Sequence, residues 1–516
     1  MKLLKAERKI WILSGIYFLL ALCSLMARAT ADSLFLKNFD KSSIPLMIMA
    51  AAAMSSVVAL FITYLCARYQ VYGTMKLVLT ALAVALAGVV VAIAVAGGKV
   101  VAVVTYMVCD VAVVTPMVLF WGLAVGVLNP KESKQWFGLI GAAGTVGCIV
   151  AGYVVSLASR SGQVDVLSLG LVTGLMLVVL GGLAKTSLFD QGEATKTSTQ
   201  PTKAASTFRA LGGMLGNRQA LLMLSLVVLS TMVICLIDIH FKFQVAKDHE
   251  GNLNQFFGQF YTYSSLAQLA LQLFIVRILL TKGGVITAIT VLPVLLVICS
   301  FSALLFAGEK GVYAGKFICQ VIFFTIEYAG LQMLFLAVKK QSRGQIKSVI
   351  DGLARPATIA ASSLLITATL AFWQADSVVR LNTVVIGVGV VWLIVAWLNY
   401  RQYLASLVGM LDSRVIDFDD EADVLMDSRF DSQLRVSLAK ASDFEAGFLA
   451  DLIIGMHRPD WCPEFRAMLD KPDETLQRAG VRYLAEFGDA ADRERMVAVG
   501  LANSPALRKE VGFSLG

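Results

Sequence analysis

Histidine is scarce in this chain and cysteine is never clustered, and the two shortages remove most metal and thiol chemistry. Only His240, His249 and His457 are present, and the eight cysteines form no CxxC and no Cys/His group. Seven of the eight sit in apolar segments, so neither structural disulfides nor zinc is expected to organise the fold. Charge is short as well, at 16% of residues against 57% hydrophobic, which is far from an ordinary soluble enzyme. The polar C-terminal part lacks a Walker loop, a glycine-rich phosphate cradle and a carboxylate pair at metal spacing. No enzymatic activity, no cofactor and no nucleic-acid partner is expected, and the chain is not an ATP-driven pump by itself.

What the chain has in abundance is apolar length. A spanning helix needs roughly 20 apolar residues, and such windows recur as far as Tyr400. The predicted spans are 10–35, 44–67, 74–97, 100–128, 136–158 and 164–184, then 219–244, 256–281, 284–307, 311–338, 346–374 and 381–403. The start resembles a signal peptide with an Ala29-Thr30-Ala31 cleavage site, but Arg28 precedes that site and the apolar run is long for one. An uncleaved first helix is expected. Between the two sets of six, 185–217 is rich in Ser, Thr and Lys and reads as a linker.

The two sets also match at an offset of 210 residues. Tyr72-Gly73 corresponds to Lys282-Gly283, and ESKQWFGLIGAAGT aligns without gaps to SRGQIKSVIDGLAR at 342–355. The expected fold is an all-α membrane protein of about twelve transmembrane helices in two pseudo-symmetric six-helix bundles, the architecture of a major-facilitator-type secondary transporter, followed by a C-terminal α-helical domain. The domains are then 1–184 and 218–404 for the two bundles, 185–217 for a cytoplasmic linker and 405–516 for a cytoplasmic tail.

Net charge divides at the same boundary. Residues 405–516 hold 21 acidic against 13 basic side chains, whereas 1–404 hold 15 against 31. A cationic membrane body fits anionic lipid at its faces or an anionic substrate within. The N-terminus, the central linker and Lys339, Lys340, Arg343 and Lys347 concentrate positive charge on one side. By the positive-inside rule both termini are cytoplasmic, in a bacterial inner membrane.

Ionisable groups within a span cost at least ~2.5–3.5 kcal/mol and are functional candidates by default. At 1.5 Å per residue, Asp110 lies roughly 15 Å into the fourth span and Glu327 roughly 24 Å into the tenth. Arg28 and Asp32 are one helical turn apart and can pair. Asp238 stands at the register of Arg28 in the seventh helix, with His240 and Lys242 after it, so an Arg28–Asp238 bridge between the halves would form an outer gate. Asp351 and Arg355 repeat the four-residue spacing just before Pro356, as an inner gate or with Arg355 reaching substrate. Arg28, Arg355 and Lys316 suit a phosphate clamp, although Lys316 is shallow enough to snorkel. Asp110, Glu327 and Asp238 suit proton or cation coupling.

The run from Arg28 through Ala-Thr-Ala-Asp-Ser-Leu-Phe to Leu36 resembles the end of the first helix in the ATP/ADP antiporter-like membrane proteins. FWGLAVGVLNPKESKQWFGLIGAAGTVG at 120–147 is similar to that family's Phe-Trp pair, charged loop and Gly-rich fifth helix. Asp238-Ile-His-Phe-Lys-Phe-Gln244 and the following QFFGQFYTYSSLAQLALQLF resemble the seventh and eighth helices of its bacterial branch. The resemblance spans 1–404. It implies exchange of nucleotides such as ATP for ADP, or import of nucleotides with protons, and in several members a fused cytoplasmic domain of HEAT-like repeats. Where the family shows a Lys-Asp pair in the first helix, this chain has Arg28 and Asp32.

Candidate tail helices are 420–440, 443–457, 461–469, 474–487, 490–502 and 505–515. Leu469, Leu476 and Leu484 recur 31 residues later as Gly500, Leu507 and Leu515, and DETLQRAGVRYLAEFGD reads as the second helix of a HEAT repeat. The tail is expected to regulate the transporter or bind a cytoplasmic protein partner, or else to cap it. The functional expectation is a secondary active transporter of a small organic or phosphorylated anion, nucleotide favoured, embedded among membrane lipids. The alternatives are a flippase or exporter of a lipid or lipid-linked molecule and a non-transporting membrane receptor or scaffold acting through the HEAT-like tail.

Overall fold

The structure is a computed structural model. It describes residues 2–128, 130–160, 164–185, 217–249, 251–305, 309–336, 338, 346–347, 349–372, 377–412, 435, 453, 459–471, 473–502, 507–509 and 511–512. Most of the 185–217 linker and of the candidate helices 420–440 and 443–457 lies outside the described residues, as do Lys339, Lys340, Arg343 and Leu515. Among the described residues the chain is almost entirely helical and contains no strand. It divides into two compact units, one of residues 1–278, 286–332 and 339–399, the other of 279–285, 333–338 and 400–516.

In the first unit, α1 (Lys2–Asn38), α2 (Ile44–Val95), α3 (Gly98–Val127), α4 (Pro130–Ala158) and α5 (Val164–Lys185) supply the first six spans, because α2 is two spans merged across a kink. The second set is α6 (Arg218–Asp248), α7 (Leu253–Phe274), α8 (Val276–Leu305), α9 (Glu309–Ile322), α10 (Tyr328–Leu336), α11 (Arg355–Phe372) and α12 (Ser377–Asp412). A π-helical turn at Phe323–Glu327 joins α9 to α10, and another at Ile350–Ala354 leads into α11. Asn217 starts α6 by accepting from the Gln219 and Ala220 amides, which satisfies two N–H groups that a helix start leaves open.

Ten helices among the described residues are long and apolar enough to cross a membrane. The α7 and α11 helices occupy the eighth and eleventh predicted spans with more polar sequences. Gln255, Gln259, Gln268 and Gln272 stud α7, and it packs against α4 of the first half, while α11 packs against α2. Gln272 accepts from the Thr145 hydroxyl of α4 at 3.1 Å across that contact, whereas Gln255 and Gln259 are exposed.

The 210-residue repeat is visible in the backbone. The α1 helix ends at Asn38 and α6 at Asp248; α2 ends at Val95 and α8 at Leu305. Each half also breaks between its second and third spans at a residue with positive φ. These are Gln70 (φ 58°, ψ 172°) and Gly284 (φ 64°, ψ −167°). Glycine enters that region freely, whereas a side chain there is strained.

In the second unit, α13 (Cys462–Leu469), α14 (Glu474–Phe487) and α15 (Ala490–Ala502) match three predicted tail helices. Their core is aromatic. Phe465 stacks on Tyr483 at 4.0 Å between ring centroids, and the Tyr483 hydroxyl accepts from the Trp461 amide at 3.1 Å. Burial pushes the Tyr483 phenol up to about 12. Asp489 and Asp492 cap each other's amides at 2.9 and 3.0 Å, a reciprocal box that starts α15. Arg466 ties α13 to that turn with bonds of 2.6 and 2.8 Å to Asp492 and 3.0 Å to Asp489. Leu469, Leu476, Leu484 and Leu507 are all buried.

Candidate functional site

Six charged side chains converge where α1, α2, α3, α6 and α9 meet. Arg28 lies 3.4 Å from Asp32 one turn along α1, 3.1 Å from Asp110 on α3, and 3.9 Å from Asp238 on α6. Lys242, four residues after Asp238, reaches back to it at 3.1 Å and crosses to Asp32 at 2.8 Å. Lys316 on α9 pairs with the same Asp238. Neutral partners complete the shell. Ser55 on α2 donates to Asp110 at 2.6 Å, and Lys242 donates to the Tyr106 hydroxyl at 3.3 Å.

The cluster is buried at its centre. Asp32 and Lys242 are 1% and 2% exposed, and Lys316 is buried too. Asp32 is held between the Lys242 ammonium and the Arg28 guanidinium. Three cations face three carboxylates, so the closed cluster is neutral. Unpaired, any one of these groups would carry a desolvation penalty of several kcal/mol.

The repeat explains the arrangement. Arg28 and Asp238 occupy matching positions of the two halves, and so do Asp32 and Lys242. Along α1 the order is cation then carboxylate; along α6 it is carboxylate then cation. Matched positions come together near the axis relating the halves, so the inverted order turns each meeting into an attraction. Tyr106 and Lys316 are matched as well.

The predicted residues therefore fall into two groups. Arg28, Asp32, Asp110, Asp238, Lys242 and Lys316 are brought together. Lys316 is buried against Asp238 and does not snorkel. Glu327 and Arg355 lie elsewhere, so Arg28, Lys316 and Arg355 do not form one clamp. Glu327 is 3% exposed with Ser230 and Arg355 facing it, and Arg355 also stands 6.0 Å from the Phe323 ring centre. The Asp351 side chain lies outside the described residues, and with it the Asp351–Arg355 pair. Sequence reading did not single out Ser55, Tyr106 or Ser230. The signal that finds Tyr106 is its match to Lys316.

Two further features border the cluster. At the crossing of α4 and α7, Gly152 and Gly258 touch backbone to backbone: a Cβ on Gly258 would lie 2.6 Å from the Ser156 nitrogen and 2.8 Å from the Gly152 oxygen. Beside α6, an apolar hollow of about 500 Å³ is lined by Phe256, Phe260, Tyr313, Ala314, Phe317 and Ile318.

Two pseudo-symmetric helical halves closed over a buried, charge-balanced interlock define a multi-pass membrane transporter. The chain belongs to the TLC ATP/ADP transporter family, whose model matches residues 54–342, more than half its length. That match contains Asp110, Asp238, Lys242, Lys316 and Glu327, while Arg28, Asp32 and Arg355 lie outside it. Among solved structures, the nucleoside transporter NupG superposes with a TM-score of 0.55 at 12% identity, covering 77% of this chain and 98% of that one. A substitution mutant of NupG gives 0.55 at 13% identity, covering 78% and 99%. The human organic anion transporter MFSD10 gives 0.49 at 14%, covering 75% and 99%. At these identities the NupG match establishes the shared fold. No curated protein matches by sequence.

Proposed function

We propose that this chain moves a small phosphorylated or other organic anion, a nucleotide first among them, across a bacterial inner membrane by alternating access. The observation that carries the reading is the charge-inverted interlock between the halves. Closed, it is neutral. Opened, the first half keeps Arg28 against Asp32 and Asp110, and the second keeps Lys242 and Lys316 against Asp238. The second half is then left with one surplus positive charge at an exposed mouth.

An anionic cargo is what that surplus attracts, and its phosphates replace the Asp32 carboxylate that Lys242 has given up. The surplus carboxylate of the first half repels the same cargo, so binding favours the second half's side of the cleft. The family's description names ATP and ADP, whereas NupG is a nucleoside transporter. The surplus charge favours the phosphorylated cargo over the uncharged nucleoside.

The test is uptake of radiolabelled ADP and ATP by proteoliposomes, with unlabelled nucleotides and nucleosides as competitors. Competition by nucleotides alone, lost in Lys242→Ala, supports the reading. Equal competition by adenosine moves the cargo to the uncharged class. The apolar hollow beside α6 is the observation that favours a lipid cargo, and stabilisation of the purified protein by lipids but never by nucleotides would replace the first reading with that one. The paired helices of the tail suit a regulatory or partner-binding role on the cytoplasmic side.

A further inference from the structure

Glu327 is a buried carboxyl that the interlock does not use. It closes the π-turn between α9 and α10, eleven residues beyond Lys316, which places it about 16 Å further along the same helical path. Its Oε2 has no hydrogen-bond partner. Arg355 faces it from the start of α11, immediately after the second π-turn, and Ser230 faces it from α6. Among the described residues, Cys319, two turns back on α9, is a further titratable group directed at it. The α7 helix also packs on the π-turn, but its Tyr261 faces Asp32, Asp238 and Lys316 instead.

The repeat shows that the fold does not require this group. The positions matching Glu327, Ser230 and Arg355 in the first half are Met117, Leu20 and Thr145. The first half builds the same helices with no ion pair there, so the charged set is an addition to one half. Glu327 ends one π-turn and Arg355 directly follows the other, a distortion frequently found at functional sites.

We propose that Glu327, with Ser230 and Arg355, is a proton site that couples movement of the halves to a proton gradient. The inference rests on the transport reading given above. The carboxylate takes a proton delivered through water from one side of the membrane, becoming a neutral acid, and returns it to water on the other side; no bond other than O–H forms or breaks. Ser230 can serve both states. Its hydroxyl donates either to the Val227 carbonyl, 3.1 Å away, or to Glu327. With Glu327 ionised the hydroxyl donates to the carboxylate. With Glu327 protonated, the acid donates to Ser230 and the hydroxyl turns to Val227.

Arg355 is the switch. A carboxyl sealed among apolar groups takes up a proton, and the same carboxyl beside a guanidinium releases it. Arg355 and Glu327 ride on different helices, α11 and the α9–α10 path, so motion between those helices alters the proton affinity. Because α11, which carries Arg355, packs against α2 of the first half, movement between the halves is passed to the Arg355–Glu327 pair.

The experiment pairs a cargo-independent measurement with a transport one. Infrared difference spectra of the wild-type protein in lipid, taken across a pH titration, should show a protonated-carboxyl stretch that is absent in Glu327→Gln and shifted in Glu327→Asp. In proteoliposomes, Glu327→Gln should retain exchange of radiolabelled ADP at equal pH but lose the stimulation that an imposed pH gradient gives the wild type. A carboxyl band unchanged in Glu327→Gln overturns the proposal whatever ADP does. Equal loss of exchange and of gradient-driven uptake overturns coupling and makes Glu327 a positioning residue. If wild-type protein takes up no ADP in either mode, the cargo reading fails, and the infrared comparison alone decides the proton site. If Glu327→Gln does not fold, the shifted or unshifted band of Glu327→Asp decides it.

Discussion

Lys242 and Asp32 stand 2.8 Å apart across the two halves and occupy matching positions of the internal repeat. A duplicated sequence would place identical residues opposite one another, and here the pair has opposite charges. Removing one partner strands the other in a buried site. Lys242→Ala is therefore expected to lower stability by about 3–5 kcal/mol, read as a fall in the melting temperature of the purified protein. Lys242→Ala combined with Asp32→Ala should recover part of that loss. A double variant as unstable as the sum of the singles would show that the two residues do not interact.

The glycine crossing of α4 and α7 yields a second prediction. A methyl at Gly258 meets the backbone of Ser156 and Gly152 inside 3 Å, so the helices must part. Gly258→Ala should shift the halves toward separation at this crossing. Spin labels on α4 and α7 in a cysteine-free background would report a longer distance, and an unchanged distance distribution would reject the idea.

The strained turn in α2 provides a third. Gln70 adopts a conformation close to the one Gly284 adopts in the second half. Gln70→Gly should raise the melting temperature by relieving about 1–3 kcal/mol of backbone strain, whereas Gln70→Ala should not. A fall with glycine would mean that the Gln70 side chain contributes more than its backbone costs.

In the tail, the hydrogen bonds from Arg466 hold the Asp492 carboxyl below the usual carboxylate range. A depressed folded value means that the stabilisation is complete above the unfolded value of about 3.9 and is lost as pH falls through the folded one. Hydrogen-exchange protection over Pro459–Ala502 in the intact protein, taken relative to the unstructured exchange rate at each pH, should therefore be steady at neutral pH and fall only in acid. Asp492→Asn should remove that acid dependence, and an unaltered profile in the variant would assign it to other groups.

How much of this was readable in advance follows from which forces act locally. Apolar length and the 210-residue offset depend on residues near each other in sequence, and both α1 with its match α6 and α2 with its match α8 end in register. The facing of Arg28 and Asp238 was legible for the same reason. Asp110 was not legible as an Arg28 partner, because α3 brings it in and its matching residue, Gln320, carries no charge. Lys316 looked shallow when its helix was measured alone, and only the approach of α6 buries its site. The α7 span was legible at 256–281 despite its glutamines, whereas its packing on α4 was not. The separation of Glu327 from Lys316 by eleven residues was legible as helical rise, whereas the two π-turns were not, since no periodicity in the sequence announces them.

The opposite surpluses left on the two halves have a consequence for assembly. If the halves were produced as separate chains, two copies of the first would bring Asp32 against Asp32, and two copies of the second would bring Lys242 against Lys242. Each like pairing would bury repelling charges, while the mixed pairing buries attracting ones. The inversion that seals the cleft in the intact chain thus also encodes which half recognises which.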